Sequence, residues 1–170
     1  MIEIMRGDIT ALDVDAIVNA ANGSLQGGGG VDGAIHRAAG PALVRASAPL
    51  APLETGAAVI TPGFRLPARY VIHVVGPVWT DGARGEPELL ERTYRSGFTL
   101  ALQHGDIATI AWPAVSTGVY RFPKERAAAI ALRVMREFEP EFDRVIACAF
   151  DSETEALYER TRAALDGGGP

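Results

Sequence analysis

This sequence predicts a three-layer α/β/α sandwich built on a mixed, mostly parallel sheet, on three observations. After the first third of the chain, β-branched runs alternate with helical patterns, the order that places helices on both faces of a sheet. Several strand candidates, such as DAIVNA, are continuous apolar runs, as expected for strands covered on both sides. The unusual segments of the sequence fall directly after strand candidates, where open α/β sheets bind their ligands.

Ile2 to Met5 reads as a first short strand, stopped by Gly7-Asp8, and Asp15 to Ala20 as a buried second one. A Gly-rich loop follows. Val31 to Ala39 reads as a helix closed by Gly40-Pro41, with a second short helix through Leu43. Ala57 to Thr61 and Tyr70 to Val75 are β-branched runs between Pro-Gly and Gly-Pro, and so a candidate hairpin. From Pro87 to His104, apolar residues recur at three-to-four spacing, giving an amphipathic helix that Gly97 weakens slightly. Ile107 to Val115 is a further strand, Pro123 to Phe138 an Ala-rich helix, Arg144 to Phe150 the last strand and Glu153 to Leu165 the last helix. Residues 1–166 then form one domain, and the Gly-rich tail 167–170 is expected to be flexible.

Composition narrows the function classes. With 48% hydrophobic and 22% charged residues the 170-residue chain has enough apolar content for one real core, which excludes intrinsic disorder. The formal charge of -5 excludes a fold-wide basic surface, so nucleic acid is not an expected partner except as a modified substrate. A lone cysteine, Cys148, forms neither an intramolecular disulfide nor a Cys-rich zinc site. No run approaches the roughly 20 apolar residues of a membrane span, and MIEIMRGDIT has no signal-peptide core, so a cytoplasmic protein is expected.

Glycine carries the most information, because six of the 19 fall between Gly23 and Gly33, inside NAANGSLQGGGGVDGAIH. A tetraglycine leading into a helix offers unhindered N–H groups and the positive end of a helix dipole, which suit phosphate. It is no Walker A loop, since it has no lysine, and the spacing of a dinucleotide fingerprint is missing. Asn19, Asn22 and Asp32 flank the loop and favour a ligand site, although turn formation and helix-dipole pairing also account for Asn22 and Asp32. Asp32 and His36 lie four apart on one helical face and are placed to pair. Ser116-Thr117-Gly118 supplies a second small-residue loop whose N–H groups and two hydroxyls suit another phosphate. Asp8 and the Ile9 N–H match the donor and acceptor of an adenine edge, and Phe150 offers an aromatic face. By default Phe150, Trp79 and Trp112 read as core residues, His73 as a satisfied core histidine and Cys148 as a small buried apolar residue.

Together, G-D-I-T, V-N-A-A-N, L-x-G-G-G-G-V-D-G-A-I-H-R-A-A-G, V-I-H-V-V-G-P-V-W and P-A-V-S-T-G-V-Y-x-F-P resemble the macrodomain family, in its MacroD-type branch of ADP-ribosyl hydrolases. The resemblance spans about Ile4 to Asp151. It implies that Asp8, Ile9 and Phe150 hold adenine, and that Gly29, Gly30, Val31 and the loop Ser116, Thr117, Gly118, Val119, Tyr120 enclose the diphosphate and distal ribose, with Asn19 as a further contact. Asn22 and Asp32 are implied to hold the distal ribose and the attacking water, with His36 supporting Asp32. It further implies removal of mono-ADP-ribose from acidic side chains of proteins and deacetylation of O-acetyl-ADP-ribose, with no metal and no cofactor. Arg121 stands where the branch usually has glycine, which touches substrate preference. Two other classes remain open: a reader module that binds ADP-ribose without turnover, and a lysine-dependent glycohydrolase acting on ADP-ribosylated nucleic acid. The only lysine, Lys124, lies beyond the Tyr120 loop and away from Asp32.

Overall fold

Alternation along each strand sorts the apolar residues into two cores. In β2 (Ala16–Ala20), Ala16 and Val18 face one side, while Ile17 and Asn19 face the other; β4 (Tyr70–Val74) repeats this with Ile72 and Val74 against Val71 and His73. A computed structural model describes residues 1–167 of the chain, and its single sheet has the order β1-β6-β5-β2-β4-β3. The other strands are β1 (Glu3–Arg6), β3 (Ala58–Pro62), β5 (Thr109–Trp112) and β6 (Arg144–Ala149). All neighbouring pairs are parallel except β3 with β4, which form the expected antiparallel hairpin. Helices α1 (Gly30–Ala39) and α2 (Ala42–Ser47) cover one face through Ile35, Ala39 and Leu43. The opposite face is covered by α3 (Glu86–His104), α4 (Lys124–Phe138) and α5 (Ser152–Gly167). The sandwich therefore has the three layers expected.

Boundaries shift for local reasons. Pro113 has no N–H to continue a ladder, and β5 ends at Trp112 rather than running to Val115. β6 stops at Ala149, which leaves Phe150 outside the sheet. α5 continues through Gly167, one residue into the segment expected to be flexible; residues 168–170 of that tail lie outside the described residues. Among the described residues, no helix is long and apolar enough to cross a membrane.

Gly97 turns out to be a packing requirement. A Cβ there would lie 2.5 Å from Cη2 and 2.9 Å from Cζ2 of Trp112, so the fully buried indole rests on the bare backbone of α3. Tyr94 and Phe98, on the same helix, flank that indole with ring centroids 4.6 and 5.0 Å away. On the opposite face His73 is wholly buried, with Nε2 3.0 Å from Thr61 Oγ1 and Nδ1 3.2 Å from Asn19 Nδ2. It is the satisfied core histidine that its strand context suggests. Burial, with His36 nearby, lowers its pKa to about 4.

Two stability predictions follow from these contacts. Gly97→Ala gains about 1 kcal/mol of helix propensity but overpacks Trp112 at a cost of about 1–3 kcal/mol, so its urea midpoint is expected to fall with an unchanged slope. A midpoint at or above wild type would show that the indole can move aside. His73 is neutral when folded and protonates in the unfolded chain near its ordinary 6.5, so stability is complete above that value and falls as pH drops toward about 4. Between pH 6.5 and 5, above the main carboxylate range, the loss should reach about 2 kcal/mol by denaturant titration and be absent from a folded His73→Leu variant.

Candidate functional site

Because five strands run parallel, the loops after β1, β6, β5, β2 and β4 leave along one edge of the sheet. Gly7-Asp8-Ile9, Phe150-Asp151, the Ser116–Tyr120 loop and the Gly-rich loop with the start of α1 therefore share that edge, in the lateral order of their strands. Asp8 and Phe150 sit at the β1–β6 end, and Asn22 and Asp32 beside β2.

The Gly-rich loop is held against α1 by a missing side chain. A Cβ on Gly33 would stand 2.5 Å from the Gly28 carbonyl oxygen, so the loop lies directly on the first turn of the helix. Gly28, Gly29 and Gly30 remain exposed there, and the N–H groups of that turn have no intrahelical acceptor. A Cβ on Gly28 would be 3.1 Å from Asp32 Oδ2 and 3.3 Å from Asn22 Nδ2, so both side chains converge on this point of the loop. Asn22 also shapes the loop: its Oδ1 accepts from the Ser24 N–H at 3.0 Å and its Nδ2 donates to Gly27 O at 3.1 Å. The turn-forming and ligand-facing readings of Asn22 are therefore compatible. Asp32, 5% exposed, accepts at Oδ1 from Asn19 Nδ2 at 2.8 Å, while His36 Nε2 stands off at 3.4 Å.

This geometry corrects the place of Asn19. It was expected to touch the ligand, yet it is fully buried, and its amide hydrogens point at Asp32 and His73. In β2 its side chain alternates onto the inner face with Ile17, below the loop that Asn22 joins. Asn19 also supplies a closer partner to Asp32 than His36 does.

The second loop differs from expectation in its donors. The Thr117 hydroxyl donates to Ala114 O at 3.1 Å, and Ser116 Oγ is buried without a partner against Gly76, where a Cβ would come within 2.1 Å of it. The backbone N–H groups, rather than two hydroxyls, are what this loop offers. Its shape is tight: Phe122 N–H donates to Ser116 O at 2.9 Å, Arg121 N–H to Gly118 O at 3.0 Å, and Ser116 and Arg121 adopt φ of 68° and 63°. Glycine reaches that region without strain, which gives a physical reason for a glycine at Arg121.

At the other end, Phe150 is 90% exposed and so not the core residue expected by default. Asp8 is exposed, and its Oδ1 accepts from the Thr10 N–H at 2.9 Å and the Thr10 hydroxyl at 2.6 Å, capping the turn that begins at the buried Ile9. Trp79 is only partly buried, its ring tilted against Phe122 with centroids 4.9 Å apart, whereas Trp112 is core. Burial, with Asp8 nearby, raises the Cys148 thiol to about 11, which leaves it protonated and inert.

One contributor went unread in the sequence. Glu86, at the start of α3, is 2% exposed and accepts from the N–H groups of Thr80, Asp81, Gly82 and Arg84. Burial alone would raise its carboxyl, but these donors outweigh it and hold the group far below the carboxylate range. They order the loop whose Trp79 N–H donates to Tyr120 O at 2.8 Å, so Glu86 braces the second loop from behind. A helix-start glutamate after T-D-G-A-R-G was the available signal.

Known proteins resemble this chain over most of its length. A Macro domain-containing protein of Ralstonia nicotianae is 56% identical over 155 residues, covering 91% of this chain and 90% of that protein. A Salmonella gallinarum protein named O-acetyl-ADP-ribose deacetylase is 51% identical over 166 residues, covering 94% and 92%. Among solved structures, a mutant of the Oceanobacillus iheyensis macrodomain with ADPR superposes with a TM-score of 0.90 at 41% identity, covering 96% of this chain and 92% of that one. The Macro domain profile matches residues 18–131, from inside β2 to the middle of α4, and with these relatives it establishes that the chain belongs to the Macro domain family.

Proposed function

We propose that this macrodomain binds ADP-ribose and hydrolyses ester bonds at its distal ribose, releasing mono-ADP-ribose from acidic side chains of proteins and acetate from O-acetyl-ADP-ribose. The observation that carries the reading is the convergence of Asn22 Nδ2 and Asp32 Oδ2 beside Gly28, at the mouth of the first turn of α1. It is supported by the deacetylase name of the Salmonella relative and by the ADPR in the Oceanobacillus structure.

In this reading the diphosphate lies between two sets of neutral N–H donors: the turn at Gly29, Gly30 and Val31, and the loop Ser116, Thr117, Gly118, Val119 and Tyr120. Helix dipole and backbone amides then bind a dianion on a protein of formal charge -5. Adenine stacks on Phe150, with Asp8 and the Ile9 N–H at its edge. The distal ribose meets Asn22 and Asp32. Asn22 donates to a ribose hydroxyl, and Asp32 Oδ2 accepts from the water that attacks the acyl carbon. The acyl C–O bond of the ester breaks, the ribose oxygen leaves with a proton from the attacking water, and the acid is released as its carboxylate. The rate gain comes chiefly from orientation.

Asn22→Ala, and more strongly the double variant with Asp32→Ala, is expected to lower single-turnover release from a glutamate-modified protein by about a hundred- to a thousandfold. Calorimetric affinity for ADP-ribose should stay within about tenfold, the worth of one modest hydrogen bond. A double variant that turns over at the wild-type rate removes both residues from the mechanism, and a wild type that binds ADP-ribose but hydrolyses no ester is a reader.

Arg121, exposed at the end of the second loop, is proposed to tune substrate choice. Arg121→Gly relieves the positive φ, so the fold should hold its stability or gain up to about 1 kcal/mol. The ratio of protein-ester to O-acetyl-ADP-ribose rates should change; equal ratios would place the guanidinium away from substrate.

A further inference from the structure

We propose that His73 is a positioning residue for this reaction: lodged beneath the site, it fixes the Asn19 amide so that Asn19 presents a hydrogen to Asp32. The inference deepens the hydrolase reading and rests on its assignment of Asp32.

The sequence places the three residues together through strand register. Asn19 in β2 pairs directly with His73 in parallel β4, and in the antiparallel hairpin Thr61 of β3 pairs with Val71 on the same inner face. Directly above that face lies α1, which brings Asp32. The result is a continuous buried line from Thr61 Oγ1 to His73 Nε2 at 3.0 Å, from His73 Nδ1 to Asn19 Nδ2 at 3.2 Å, and from Asn19 Nδ2 to Asp32 Oδ1 at 2.8 Å.

Donor and acceptor chemistry gives this line a direction. Asn19 Nδ2 carries two hydrogens and stands against two atoms, Asp32 Oδ1 and His73 Nδ1. An N–H cannot donate to another N–H, so Nδ1 must be bare and the ring proton must sit on Nε2, where Thr61 Oγ1 accepts it. The opposite amide orientation would set the Asn19 oxygen against the Asp32 oxygen and against the lone pair of Nδ1. Asn19 Oδ1, buried without a partner, is what the present orientation leaves unsatisfied. A proton on Nδ1 would reverse the preference: the amide would turn over, its oxygen would gain a donor, and Asp32 would lose its closest one.

The groups facing His73 are Asn19 from β2, Thr61 from β3 and His36 from α1, whose ring centroid is 6.5 Å away, with Asp32 beyond Asn19. Burial and His36 keep the ring neutral at physiological pH. With Oδ1 held from below, Asp32 Oδ2 is left on the Gly28 side, facing the proposed ribose pocket. His73 is itself wholly buried and touches no ligand, so it acts only through Asn19.

The test joins spectroscopy to kinetics. In the wild-type protein, 15N NMR at pH 7 should find His73 neutral with its proton on Nε2; an Nδ1–H tautomer or an imidazolium overturns the proposal. His73→Leu removes the acceptor, and should lower kcat on O-acetyl-ADP-ribose by about ten- to a hundredfold through misplacement of Asp32. Its Kd for ADP-ribose should stay within about threefold of wild type. His73→Asn, which returns an acceptor near the Nδ1 position, should recover most of the rate, a rescue that a purely structural histidine does not predict. A folded His73→Leu with wild-type kcat overturns the proposal. Should that variant not fold, Thr61→Val strips the Nε2 acceptor at nearly constant volume, and an unchanged tautomer together with an unchanged kcat overturns it equally. A wild type inert on every ester defeats the hydrolase reading instead, and the His73 tautomer with the Asn19 amide signals still decides the wiring.

Discussion

The Asn19 amide sits at the junction between the sheet and the helix that carries the site, and its two hydrogens point in different directions. One reaches across the sheet to His73 in β4 and the other up to Asp32 in α1. A buried amide with both hydrogens engaged has little rotational freedom, so the position of Asp32 is tied to the register of β2 on β4. A slip of one residue would put Asn19 on the opposite face, under α3 and α4, and detach the loop from its support. Asp15, at the foot of the same strand, ties β2 to its other neighbour: its carboxylate accepts from the N–H groups of Ala108 and Thr109 at the start of β5.

Around this fixed point the edge is built by letting backbones approach one another. Gly33 allows the Gly-rich loop to rest on α1, and Gly76 makes room for Ser116 at the head of the second loop. Both loops are braced from behind, one by Asn19 and Asp32, the other by Glu86 through Trp79 and Tyr120. Ser116 and Arg121 hold positive φ in the second loop, and the Ser116 hydroxyl is buried unsatisfied.

The electrostatics are consistent with this construction. A net negative protein binds anions poorly through its overall field, and in the proposed reading the remedy is local, since oriented amides and one helix dipole act over a few ångströms and are little affected by distant carboxylates.

The fold class, the order of elements and the loops after β1, β2, β5 and β6 were legible in the sequence, because alternation, glycine clustering and proline punctuation are local signals. So was the group Asn22, Asp32 and His36, through a motif that runs along a single loop and helix. Asn19 could not be placed correctly, because V-N-A-A-N does not say which asparagine points outward; strand alternation beneath a covering helix decided that, burying Asn19 and leaving Asn22 in the loop. Phe150 read as the end of an apolar strand until β6 stopped one residue earlier and exposed it. Gly97 read as a weak point in a helix until Trp112, from the strand that follows and doubles back under that helix, was found against it. The link from Thr61 through His73 to Asp32 joins β3, β4, β2 and α1, and residues so far apart in the chain become hydrogen-bond partners only when the sheet sets their register and α1 closes over them.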